Sequence, residues 1–119
     1  MNLFDVTQIG LHRAISGAGL RQATLSENIA NANTPLYGRQ DVDFHSALRT
    51  AMETGTPAEV EKVAFKPEQD RQTVLRADGN GVDVDVESAN LARNGLEYQS
   101  LVTVARARDD ILRSAMGVG

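Results

Sequence analysis

The sequence predicts an all-α chain: two long terminal helices paired as an antiparallel coiled coil, with a short helix and an irregular or partly β middle segment between them. Three observations predict it. Apolar residues recur at 3–4 spacing over about 29 residues near the N-terminus and again over the last third. The residues between are polar, charged and broken by Gly and Pro. At 119 residues the chain is at most one domain, a single unit with the N-terminal helix over 5–33, a variable stretch over 34–82 and the C-terminal helix over 83–116.

The first helix starts where Asp5, with Gln8 three residues on, can form a capping box. Its seam is Leu11, Ile15, Ala18, Gln22, Leu25, Ile29 and Ala32, a heptad with Gln22 in one apolar place. An amphipathic helix on a globular core could use the same positions. A narrow seam over so many turns favours a partner helix. The helix ends in Asn28–Gly38, NIANANTPLYG. Asn terminates helices, and the residue before Pro35 is pushed out of the α region, so the helix stops by Thr34. Capping explains one asparagine but not Asn28, Asn31 and Asn33 together, and the surplus suggests a recognition surface.

The middle holds a short helix from Phe44 to Glu53, closed by Gly55-Thr56-Pro57. Residues 58–77 are charged with few apolar positions, fit for two short strands or for disorder in the free chain. Asp78–Gly81 reads as a turn, after which Asp83 caps the last helix with Val82 before it. The second seam is Leu91, Gly95, Tyr98, Val102, Ala105, Leu112 and Met116, with Asp109 in the remaining place. Gly17, Gly19 and Gly95 each weaken a helix interior by about 1 kcal/mol relative to Ala. They also let helices approach closely, so the free chain is expected to be marginal and to order on assembly.

Composition excludes several functions. The net charge of −4 does not suit phosphate backbones. The absence of Cys rules out disulfides and thiolate metal sites. Residues 78–89 fail the EF-hand pattern at its fifth, sixth and twelfth places, His12 and His45 have no ligand partner at helical spacing, and Asp41 and Asp43 read as turn and cap rather than as an acid pair. Arg93, Arg106, Arg108 and Arg113 alternate with acids, which marks a solvated or inter-subunit face rather than a membrane helix. No catalytic, cofactor or metal site is expected. No basic-then-apolar leader and no apolar run of membrane-spanning length is present.

The asparagine run, the DVDF of residues 41–44 and GNGVDVDVESANLARNGLEYQSL at 79–101 resemble, in order, the motifs of the flagellar axial family of rod, hook and hook-junction proteins, nearest its proximal rod branch. The likeness covers about two thirds of the chain, residues 9–45 and 79–116. It departs at Leu36, where the family motif has Gly, and at Gly38, where it has Lys. The flexible residue of the turn is thereby expected two positions late. The resemblance implies a structural subunit of the basal body rod that polymerises through its terminal helices into the torque-transmitting shaft. It implies export through the flagellar type III channel without a cleavable signal peptide, a place in the rod crossing the periplasm, and as partners other rod proteins, the rod-base adaptor FliE, the membrane ring and the export gate. The implied interface residues are the two seams with Asn28, Asn31, Asn33, Pro35 and Tyr37, the asparagines bonding to an adjacent subunit. A soluble helical adaptor or export-chaperone-like binding module is the alternative.

Overall fold

A computed structural model describes residues 3–71 and 81–117. Helix α1 spans Leu3–Ala30 and α4 spans Val84–Ala115. Between them come β1 (Gln40–Asp41), α2 (Phe44–Glu53), α3 (Pro57–Glu61) and β2 (Glu68–Gln69). The two strands pair antiparallel, Gln40 opposite Gln69 and Asp41 opposite Glu68. The molecule is elongated, 61 × 29 × 14 Å.

The terminal helices run antiparallel. Gln8 Nε2 donates to Asp109 Oδ1 at 2.8 Å near one end, and Asn94 Nδ2 donates to the Ala18 carbonyl at 2.8 Å and to Gln22 Oε1 at 2.7 Å further along. A Cβ on Gly19 would lie 3.7 Å from Tyr98, and one on Gly95 3.6 Å from Gln22 Nε2. These glycines lie where α1 and α4 meet, with room for a methyl at each. Asp83 caps α4 by accepting from the backbone N–H groups of Asp85 and Val86. Helix α1 begins before Asp5, so Asp5 lies inside the helix rather than at its cap. Gln8 instead bonds across to α4.

The middle segment folds back on α1 and covers a face that the sequence reading did not foresee. Buried positions of α1 include Gly10, Ala14, Gly17, Thr24 and Asn28, with Arg21 half-buried. This is a second 4–3 row, one residue before the seam. Its small members admit Phe44 and Met52 of α2: a Cβ on Gly17 would fall 2.6 Å from Phe44 Cβ and Cγ, and one on Gly10 3.3 Å from Met52 Cε. Ala14, Ala18, Val42 and Phe44 form the core, with Leu20, Leu48, Phe65 and Leu101 packed against it. Phe65 meets Phe44 edge-on at 6.1 Å, and Arg13 stacks on Phe65 while donating to the Val63 carbonyl.

Helix α2 has the bounds read from the sequence. Asp43 accepts from Ser46 N, and Gly55, with φ 70°, closes the helix. The stretch after it is partly β, as read, but opens on a helical turn. Pro57 starts the one-turn helix α3, which buries Val60 completely, and among the described residues of the stretch only Glu68–Gln69 is strand. The last residues of that stretch, 72–77, and most of the Asp78–Gly81 turn lie outside the described residues.

Candidate functional site

Asn28, Asn31 and Tyr37 of the motif region are held by the chain itself. Asn28 is fully buried near the C-terminal end of α1. Its Nδ2 donates to the Gln40 carbonyl at 2.7 Å, and its Oδ1 accepts from Gln40 N at 3.0 Å and from the Tyr37 hydroxyl at 3.2 Å. One amide thus reads the backbone of β1 as another strand would. Burial pushes the Tyr37 phenol up, with Glu27 and Glu87 adding to it, so the hydroxyl remains a donor. In the lone chain the Asn28 side chain is committed to its own motif loop and presents nothing at the surface. Asn31 works at the helix end, donating to the Glu27 carbonyl and accepting from Thr34 Oγ1. Asn33 and Pro35 are exposed.

Replacing Asn28 by Ala should therefore lower the stability of the isolated chain by about 1–3 kcal/mol, because the part-buried backbone groups of Gln40 lose their partner. Urea denaturation of the free protein measures it. A purely inter-subunit role would leave the midpoint in place.

The turn after α1 carries strain. Tyr37 N bonds to the Thr34 carbonyl, which puts Pro35 and Leu36 at the centre of a β-turn. Leu36 has φ 63°, the positive value that a type II turn demands at its second central residue and that glycine adopts freely. The turn keeps its left-handed residue at the motif's glycine position, so the expected displacement to Gly38 does not occur. Gly38 instead lies against the Gln69 side chain, where a Cβ would collide.

Below the loop lies an ionic cluster that joins α1, β1 and α4 to the residues flanking the two strands. Arg39 donates Nε and Nη2 to the two oxygens of Glu87 on α4 at 2.7 and 2.9 Å, Nη1 to Asp70 at 2.8 Å and Nη2 to Asp41 at 2.9 Å. Arg21 of α1 holds Asp41 from the other side at 2.8 and 3.2 Å. Glu87 is 1% exposed. The fork-shaped pairing with Glu87 raises the Arg39 pKa beyond its ordinary value against the opposing pull of burial, so Arg39 is always charged. Burial pushes the Asp41 carboxyl up, but hydrogen bonds from Arg21, Arg39 and Val42 N outweigh it and hold the carboxyl below its usual range. A carboxyl depressed in the fold stabilises above its unfolded pKa of about 3.9 and loses that contribution as pH falls through the lower folded value. The chain should destabilise on acidification below about pH 4, and Asp41→Asn should flatten that dependence. An unchanged slope in denaturation curves between pH 2 and 5 would contradict it.

The cluster escaped the sequence reading. Asp43 is a cap as read, but Asp41 is an ion partner, and nothing in the spacing of Arg39, Asp70 and Glu87 links them before the fold is known.

Most of the seam residues are covered within the chain. Ala18, Leu25, Ala32 and Ala105 are buried, and Leu11, Ile15, Gln22, Ile29, Leu91, Val102 and Leu112 are half-buried. Tyr98 is exposed at its edge. Met116 lies past the end of α4 and is 69% exposed, so it is not part of the intrachain seam. A different set of α4 residues faces away. Leu96, Thr103 and Ala107 stand about half a turn from Asn94 or Ala105, and with Ser100, Val104 and Ile111 they form an exposed face without a charge. Leu96, Val104 and Ile111 are 66%, 47% and 65% exposed. Among the described residues no helix is long and apolar enough to cross a membrane.

No family profile matches the chain. Individual relatives do. It is 35% identical to the flagellar basal body rod protein FlgB of Proteus mirabilis over 88% of this chain and 87% of that one. It is 38% identical to FlgB of Yersinia enterocolitica over 71% and 74%, and 29% identical to FlgB of Bacillus subtilis over 100% and 99%. These are structural proteins, not enzymes, from diverse bacteria. With the helical fold and the motif loop above, these likenesses show that the chain belongs to the FlgB family of flagellar basal body rod proteins.

Proposed function

We propose that the chain polymerises through its terminal helices into the proximal rod, the shaft that transmits motor torque. The observation that carries this reading is the exposed, uncharged face of α4, Leu96 to Ile111, on an elongated subunit whose two long helices are already paired. In a lone subunit that face exposes large apolar side chains to water, and packing against a neighbouring subunit removes them. The domain unit is the whole of residues 1–119, and the seam residues build the inner helical layer. Asn33 and Pro35 stand at the surface of the motif loop, where a neighbour can reach them. The subunit is exported through the type III channel without a cleavable leader, crosses the periplasm as part of the rod, and meets other rod proteins, FliE, the membrane ring and the export gate. A chain whose free form is marginal suits passage in an unfolded state and ordering on assembly.

The test uses flagellated cells with this chain as their only source of the subunit. The reading expects the protein in purified basal bodies and loss of completed rods and swimming on its deletion. A protein found only in the cytoplasm, beside complete rods in the deletion strain, would replace the rod reading by that of a soluble adaptor.

A further inference from the structure

Leu36 is out of place in an isolated subunit. It is a branched residue at φ 63°, a backbone region that L side chains rarely adopt, and its side chain is 79% exposed. The strain is not offset by burial in its own fold, so a contact outside the chain accounts best for the side chain. The tip around it, residues 31–38, carries no charge.

The same molecule holds a groove of matching chemistry. Ala14, Phe44, Leu48, Met52 and Leu101 line an apolar cleft of about 470 Å³ between α1, α2 and α4. His45, Arg49, Glu53 and Glu97 complete the lining, with His45 bonded to Glu97, so the cleft offers little net charge to an ionic occupant. The tip cannot reach its own groove. Ala14 lies 16 residues before the end of α1, roughly 24 Å along the helix axis, and the turn lies beyond that end.

We propose that Leu36 seats in this groove on a second copy of the chain. The contact is head-to-tail, because knob and groove are different surfaces, and such a contact continues from copy to copy instead of closing on a pair. It rests on the reading of the chain as a self-assembling rod subunit.

The chain has no cysteine, so introduced pairs report cleanly. Cells carrying Leu36→Cys together with Met52→Cys as their only subunit should, on oxidation, yield basal bodies whose subunits run as a ladder of disulfide-linked multimers. Either substitution alone should give monomers. Leu36→Gly and Leu36→Asn relieve the backbone, so the thermal midpoint of the free protein should hold or rise while completed rods fall at least tenfold. That opposition of signs is not expected of a turn residue alone. Subunits present in basal bodies but unlinked between positions 36 and 52, or normal rod numbers with Leu36→Gly, would overturn the contact and leave the rod reading standing. Absence of the chain from basal bodies would instead remove the rod reading on which the contact depends.

Discussion

Arg39→Met should lower the stability of the free chain by about 3–5 kcal/mol, because it leaves the Glu87 carboxylate buried without its two-toothed partner. The loss should be seen as a large fall in the urea midpoint, and in cells as failure to form rods. Asp41 suffers less, since Arg21 still holds it. The double change Arg39→Met with Glu87→Met is the complementary case. Removing both charges from one buried place should recover most of the loss, because a buried ion pair and well-packed apolar side chains of similar volume differ little in stability. A single variant within about 1 kcal/mol of the parent would show that the cluster behaves as a surface ion pair and does not clamp the motif loop to α4.

Gly17→Ala should destabilise the chain by about 1–3 kcal/mol even though Ala is the better helix former by about 1 kcal/mol. The new methyl would stand 2.6 Å from Phe44 Cβ, a distance at which α2 must move. Phe44 is 1% exposed at the centre of the core, so the shift is felt throughout the packing of the middle segment on α1. Gly19→Ala is the control two residues away. Its methyl meets Tyr98 at an ordinary 3.7 Å, so the propensity gain should survive and the midpoint should hold or rise. Equal effects from the two substitutions would mean that α2 does not dock on α1 in solution.

The contrast between these two glycines shows what the sequence could and could not tell. Long-period features were legible. The seam Leu11 to Ala32, the α2 bounds and the Asp83 cap follow from local spacing and capping chemistry, and the antiparallel pairing follows from two long helices on either side of a turn-rich middle. The second row of α1, Gly10, Ala14, Gly17, Arg21, Thr24 and Asn28, was hidden because its members are small or polar and carry no apolar signal. What makes them a packing face is the aromatic residue of α2 that lands on them, a contact between positions 27 apart. The intrachain role of Asn28 was hidden for a related reason. A surplus of asparagine suggests unsatisfied amides, but the partner of this one is the backbone of Gln40, and backbone has no sequence signature. The clasp around Arg39 is more distant still, joining residues up to 48 apart whose types are common on any surface. Leu36 stands between the two cases. Its position in the motif marked it as a departure, and its positive φ gives the physical reason that glycine belongs there.

The central claim is that one chain supplies both helices of an antiparallel pair and that this pair is the building unit of the rod. A side-chain-resolution electron cryomicroscopy map of the intact basal body tests it most directly. The account predicts α1 and α4 of the same subunit packed along each other, Asn94 beside Ala18 and Gln22, with the Leu96–Ile111 face of α4 covered by neighbouring rod density. A rod in which α1 and α4 of one chain part to pair with other subunits, or in which that face lies bare to solvent, would contradict it.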